Sequence, residues 1–295
     1  SLTGVRTCAL PRFSAPFDLA RPPLLRARLL QLGPDEHRLL FCVHHLVFDG
    51  WSIGVLVREL GALYAAFAKG GADAPPLQPR PLQYADYAAW QRRRAVSPEW
   101  AESLKFWTDR LAGTPVLALP ADRRRPAALS GRGAGHRFEI PAPLVGQIRA
   151  LALRGNATPF MTFLAAWQTL LGRYAGQTDF AVGSPVANRG HAALEELVGF
   201  FVNMIALRAD LAGDPSFRGL LQRVVAATQA ALAHQETPFE QIVERLNVAR
   251  DLAHHPVFQA GFTFQGAAAE PVRLAGVEFR SRPSEIAAAK FDLLL

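Results

Sequence analysis

The sequence predicts an α/β fold, and three observations carry that prediction. Short apolar runs alternate along the chain with stretches whose apolar residues recur at helical spacing. Half of the 295 residues are hydrophobic and 19% are charged, enough to bury a sizeable core and too apolar for a disordered chain. The length suits one large or two medium lobes better than one small domain.

Taken in order, Leu39 to Val43 is a short apolar run and reads as a buried strand. From Ser52 to Lys69, Leu56, Leu60, Leu63 and Phe67 keep helical spacing, and Gly70-Gly71 ends the helix. Ser97-Pro98 starts another, with the proline in the first turn, where a missing N–H is no loss. Its face is Trp100, Leu104, Trp107 and Leu111. Residues 113 to 135 are rich in proline and glycine and lack periodicity, so an inter-lobe connection is expected at 121–135, between lobes 1–120 and 136–295. A strand is expected at His136 to Ile140 and a helix around Leu144 to Leu153. Thr158-Pro159 opens a strong helix with Phe160, Phe163, Leu164, Trp167, Leu170, Leu171 and Tyr174 on one face. Asp214-Pro215 opens another that runs to about Ala233, and Thr237-Pro238-Phe239-Glu240 reads as a capping box with proline at the first helical position. Phe258, Ala260, Phe262 and Phe264 alternate, as in a strand with one buried face. Phe291 to Leu295 reads as a last strand.

Composition narrows the function classes. The net charge of +7 comes largely from scattered arginines, and Arg123-Arg124-Arg125 lies in a loop-like stretch. A nucleic-acid partner would want such charges on one stripe interleaved with aromatics, so none is expected. No charged-then-apolar leader opens the chain and no run of eighteen apolar residues appears, so a soluble, cytoplasmic protein without a membrane partner is expected. Cys8 and Cys42 are too few for a disulfide framework and lack metal-ligand spacing.

The sharpest local feature is Val43-His44-His45-Leu46-Val47-Phe48-Asp49-Gly50-Trp51-Ser52, where a strand ends and a helix begins. Histidines in consecutive strand positions project to opposite faces, so one ring can face a cavity while the other packs inside. That counts against a shared metal, and no metal is expected. A histidine near pH 7 can take a proton from an amine or hydroxyl if its ring and tautomer are fixed. Asp49 can hold the loop by pairing with an arginine or cap the helix, and Gly50 permits close backbone approach.

His44-His45-x-x-x-Asp49-Gly50 resembles the HHxxxDG motif of nonribosomal peptide synthetase condensation domains, members of the chloramphenicol acetyltransferase-like acyltransferases. Four further blocks resemble that family's signatures in the same order: Tyr84 to Arg92, Val198 to Arg208, His234 to Val243, and Arg250-Asp251 through Gln259. The resemblance implies two acetyltransferase-like lobes in a V-shaped pseudo-dimer with a tunnel between them. It implies an amide bond formed between a donor acyl or peptidyl thioester and the amine of an acceptor aminoacyl thioester. Both substrates would hang on 4'-phosphopantetheine arms of donor and acceptor carrier domains, beside an adenylation domain, with no cofactor bound directly. His45 is then expected as general base or amine-positioning group, His44 and Asp49 as structural, and Gly50 as a backbone donor to the oxyanion. Asn203 is a candidate substrate contact. Tyr84, Tyr87 and Trp90 are expected to pack in the core, and His234 to end a helix. The alternatives are an acyltransferase of the same superfamily acting on a free acceptor, and a non-catalytic recruiting module, which usually loses the histidine pair. Against the family the chain is also expected to be truncated at both ends and inactive alone. The arginine that pairs with Asp49 is expected in the absent leading stretch, since Arg26 and Arg28 stand in the wrong context.

Overall fold

The computed structural model describes residues 15–68, 80–248, 251–265, 272–274, 276–280 and 288–295. Cys8, Lys69, Gly70-Gly71 and Arg250 lie outside them. The chain opens with β1 (Leu25–Gln31), β2 (His37–Val43), a 3-10 turn (His45–Val47), α1 (Gly50–Ala68), α2 (Tyr84–Arg94) and α3 (Pro98–Leu111). Then come α4 (Ala142–Arg154), α5 (Pro159–Ala175), β3 (Asp179–Val186), α6 (Ala192–Glu195) and β4 (Asn203–Asp210). Next are α7 (Phe217–Ala233), α8 (Phe239–Leu246), β5 (Ala260–Gly261), β6 (Val272–Leu274), β7 (Val277–Phe279) and β8 (Leu293–Leu294).

These elements gather into two compact units. The first joins residues 1–89, 189–201 and 274–276, and the second joins 90–188, 202–273 and 277–295. Their bounds differ from the lobes 1–120 and 136–295 that the sequence suggests. In the first unit β1 and β2 form an antiparallel hairpin, with Leu25 opposite Val43 and Gln31 opposite His37. The chain leaves β2, makes the 3-10 turn and enters α1. By length and composition α1 could cross a membrane, a weak sign for one helix. At its middle, Arg58 pairs with Glu196 and Glu59 with Arg80.

The second unit holds the main hydrophobic core. Its sheet runs β4-β3-β5-β8, with β3 antiparallel to β4 and parallel to β5. Trp107, Leu164, Leu171, Phe180, Leu207, Leu221 and Phe258 fill the space between sheet and helices. Gly183 of β3 is required there, since a Cβ would lie 2.1 Å from the Phe258 ring. The helix starts that the sequence marks clearly form as expected: Ser97 Oγ accepts from Trp100 N–H at 3.3 Å and Thr158 Oγ1 from Met161 N–H at 3.2 Å.

Four expectations are corrected. Residues His136 to Ile140 form no strand, because no described segment pairs with them, and Phe138 is 63% exposed. The helix expected from Asp214 begins at Phe217: Ser216 caps it through Gly219 N–H, while Asp214 takes a left-handed φ of 48°. Thr237 does not cap α8, for its hydroxyl bonds Ser103 at 2.7 Å and Pro238 stands at the N-cap. The run from Phe258 to Phe262 is buried at every position rather than on one face, as in a strand covered on both faces. The irregular stretch 112–141 is anchored within the second unit, Leu117 N–H donating to Gln259 Oε1 and Arg125 pairing with Asp292.

His255 yields a pH prediction. Its ring sits 4.8 Å from that of Phe258 and 5.1 Å from that of Phe291. Burial lowers its pKa, although bonds to the Pro256 and Phe258 backbone and the Asp292 charge act the other way. A depressed histidine binds fewer protons folded than unfolded, so its contribution is lost as pH falls below about 6.5. His255→Phe should therefore flatten the fall in denaturation midpoint below that pH, and parallel curves for both proteins would refute this.

Candidate active site

The first unit is built around a buried ion pair. Asp49 stands at the N-cap of α1, where its Oδ1 accepts the Ser52 N–H at 2.9 Å and the Ser52 hydroxyl at 2.8 Å. Arg189 reaches Oδ1 at 3.1 Å, and Oδ2 accepts Phe201 N–H at 3.0 Å. The two side chains are 2% and 1% exposed. Burial alone would raise the Asp49 pKa, but the bonds from Ser52 and Phe201 and the Arg189 charge outweigh it and hold the carboxyl below its ordinary value. The aspartate is thus both helix cap and ion-pair partner.

Arg189 is a residue that sequence reasoning missed. The expected upstream arginine is replaced by one 140 positions downstream, in the loop after β3. Arg26 instead donates to the carbonyls of Ala15 and Pro16. The Arg189 guanidinium also donates to the carbonyls of Leu194 and Leu197 and lies 4.1 Å over the Phe201 ring. Ser52 accepts Gly199 N–H at 3.1 Å. The Tyr84 hydroxyl donates to Phe200 O at 2.8 Å, and a Cβ at Gly199 would stand 2.3 Å from the Tyr84 ring. The Tyr84 block and the Gly199-Phe200-Phe201 block are therefore one packed assembly, and Tyr87 is buried against Phe201.

This assembly presents the histidines. The strand ends at Val43, so His44 caps the 3-10 turn and His45 begins it, and strand pleat does not set the two ring directions. His44 Nδ1 accepts Leu46 N–H at 3.1 Å and its ring meets Phe17 edge-on. His45 Nδ1 lies 2.6 Å from the carbonyl oxygen of Phe48. A carbonyl can only accept, so Nδ1 carries a proton, and in the neutral ring Nε2 holds the lone pair. Phe200 packs edge-to-face on that ring at 5.1 Å. The His45 ring is thus fixed in position and tautomer while the residue stays exposed. Gly50 is exposed as well, and a Cβ there would meet nothing within 4 Å. Its N–H belongs to the first turn of α1, where the helix offers no acceptor. Among the described residues no group of three His, Cys, Asp or Glu could hold a metal ion.

In the second unit Asn203 is used up by the fold. Its Nδ2 donates to Gln235 O at 2.8 Å and Thr237 O at 2.7 Å, and its Oδ1 accepts Phe239 N–H at 3.1 Å. It thereby performs the capping of α8 expected of Thr237. His234 caps the end of α7, as expected, and its Nδ1 bonds Ser103. Asn203→Ala strands three backbone groups, one buried and two part-buried, each costing about 1–3 kcal/mol if unmet by water. A melting temperature lowered by several degrees is the expected result. An unchanged melting temperature with a raised KM would restore Asn203 as a substrate contact.

The comparisons with known proteins bear on the family and the fold. A family model described as Condensation domain matches residues 8–295. Malpinin synthetase of Mortierella alpina is 43% identical over 282 residues, which are 95% of this chain and 4% of that protein. Phosphinothricin tripeptide synthetase PhsC of Streptomyces viridochromogenes is 43% identical over 294 residues, 99% of this chain and 27% of that protein. The chain thus spans a small part of these relatives. Among solved structures, the X-domain from teicoplanin biosynthesis matches with a TM-score of 0.87 at 31% identity, covering 96% of this chain and 64% of that one. A four-domain nonribosomal peptide synthetase bound to AMP and glycine matches with a TM-score of 0.78 at 26% identity, covering 91% of this chain and 20% of that one. The chain belongs to the condensation-domain family of nonribosomal peptide synthetases.

Proposed function

We propose that the domain joins a donor acyl or peptidyl thioester to the amine of an acceptor aminoacyl thioester, with His45 as the group that handles the proton. The observation that supports this is the 2.6 Å bond from His45 Nδ1 to Phe48 O, which leaves Nε2 as a basic nitrogen on an exposed, fixed ring. The acceptor nitrogen attacks the donor carbonyl carbon and the new C–N bond forms. The nitrogen's proton passes to Nε2, the C–S bond breaks, and the proton leaves with the departing thiolate. The oxyanion formed on the way wants an N–H donor, and Gly50 at the start of α1 is the one we assign. His44, Asp49 and Arg189 hold the turn in place. Asn203 we assign to positioning α8.

The substrates are proposed to ride on 4'-phosphopantetheine arms of donor and acceptor carrier domains, with an adenylation domain adjacent, in the cytoplasm. The sequence lobes 1–120 and 136–295 and the V with its tunnel remain part of this proposal. The testing experiment incubates the domain, alone and within its full-length gene product, with two loaded carriers and detects the amide by mass. Free aminoacyl analogues lacking the arm should react far more slowly. Equal rates would favour the free-acceptor acyltransferase.

A second reading has one observation in its favour. The X-domain resembled here also occurs in a solved complex with OxyB from teicoplanin biosynthesis. A recruiting role would predict no amide product under any carrier pairing. The retained His44-His45 pair, with His45 held in one tautomer, favours catalysis.

A further inference from the structure

The consecutive residues Phe200 and Phe201 are put to different uses. Phe201 is buried, and its ring packs on those of Tyr84 and Tyr87 and under the Arg189 guanidinium. That ring belongs to the core of the first unit. The Phe200 ring does not. It is only part-buried, and among the described residues its one aromatic contact is His45, edge-to-face at 5.1 Å with the planes 81° apart. A part-buried ring adds less to a core than a buried one, because the gain scales with the apolar area removed from water.

The backbone that carries Phe200 is tied down on both sides. Gly199 N–H donates to Ser52 Oγ at 3.1 Å and Phe201 N–H to Asp49 Oδ2 at 3.0 Å. Between them the Phe200 carbonyl accepts the Tyr84 hydroxyl at 2.8 Å. Three consecutive residues are thereby fixed to the N-terminal cap of α1 and to the first residue of α2. His45 is held by less. Its Nδ1 bond to Phe48 O restrains one atom of the ring, and the residue is exposed, so water competes for that bond. The second side-chain torsion of histidine is broad when left to itself. An aromatic partner in a preferred edge-to-face geometry narrows it.

We infer that Phe200 is a positioning residue for His45, and that Tyr84 holds Phe200 in turn through its hydroxyl. Phe200 keeps the imidazole where Nδ1 reaches Phe48 O, and so keeps the lone pair of the neutral ring on Nε2. Tyr84 packs as the sequence suggests, but its hydroxyl serves the carrier of the ring that steadies His45. The kinetic consequence of this inference rests on the condensation reading, whereas its consequence for the ring and tautomer does not.

The test labels the histidines of the chain isotopically at nitrogen and reads their ring nitrogens by long-range proton–nitrogen correlation. The His45 signals are assigned by their loss in His45→Gln. With the ring neutral, the parent should show one protonated and one bare nitrogen at well-separated shifts. In Phe200→Ala the two shifts should move toward each other, as in a ring that samples both tautomers. Tyr84→Phe should move them the same way by less, and Phe200→Tyr, which keeps the ring, should restore them. With loaded carriers Phe200→Ala should lower kcat about tenfold at unchanged KM, since a small misplacement of a reacting group is costly. Parental shifts in Phe200→Ala overturn the inference. So does a raised KM at unchanged kcat, which would make Phe200 a substrate contact. If Phe200→Ala does not fold, Tyr84→Phe decides by the same two readouts. A parent that forms no amide would sink the condensation reading, and the nitrogen shifts would still decide this inference.

Discussion

His45→Ala lowers the condensation rate by about 10²–10⁴-fold, the usual loss when a general base is removed, and leaves the melting temperature close to that of the parent. The two halves of this expectation come from different atoms. The rate depends on Nε2, whose lone pair is set by the Nδ1 bond to Phe48 O. Stability depends little on the ring, because His45 is exposed and its bond to the Phe48 carbonyl lies where water can replace it. His44→Ala should behave differently. Its Nδ1 holds Leu46 N–H at the start of the 3-10 turn, so its loss acts through the placement of His45. Rapid-quench kinetics with loaded carriers, together with thermal melts, separate the two. A His45→Ala domain retaining more than half the parent rate, with chemistry limiting, would remove His45 from the proton-handling role.

What the sequence made legible is what short-range chemistry dictates. Ser97 and Thr158 cap helices three residues away, so a reader of the chain can place α3 and α5 from the local pattern alone. The HHxxxDG block was legible for the same reason: strand, turn, cap and helix follow one another within ten residues. Two of the misses depend on partners far along the chain. Thr237-Pro238-Phe239-Glu240 has the look of a capping box, yet Asn203, more than thirty positions earlier, supplies the acceptor and Ser103 takes the Thr237 hydroxyl. His136 to Ile140 has a strand-like composition and no neighbour to pair with among the described residues. The strand Asp179–Val186 passed unnoticed because its residues are buried through most of its length, which removes the alternation that betrays a one-sided strand. Arg189, just beyond that strand, carries one usable signal: a charged side chain following an apolar run, in a chain whose Asp49 wants a cation. Expecting that cation upstream directed the search to the wrong end of the chain.

Arg189→Leu is expected to destabilise the domain by about 3–5 kcal/mol, the cost of breaking a buried pair by removing one partner. Leucine fills part of the volume over Phe201 but leaves the Asp49 carboxylate buried without its counter-charge, and takes the guanidinium donors from the carbonyls of Leu197 and of Leu194, the latter keeping Leu197 N–H at 3.2 Å. These two contributions can be told apart by pH. In the parent, Asp49 has a depressed pKa, so its stabilising contribution is present above about pH 3.9 and is lost as pH falls through the folded value. Arg189 favours the ionised carboxylate, so removing it matters most where Asp49 is charged. The stability gap between parent and Arg189→Leu should therefore narrow as the pH falls toward the acid range, measured by urea denaturation at a series of pH values. Asp49→Asn in the Arg189→Leu background should recover part of the loss at neutral pH, because the amide oxygen can still accept from Ser52 while carrying no charge. A gap that stays constant down to the acid limit would mean that Arg189 acts through its carbonyl bonds to Leu194 and Leu197. The ion pair with Asp49 would then not be what holds the histidine turn in place.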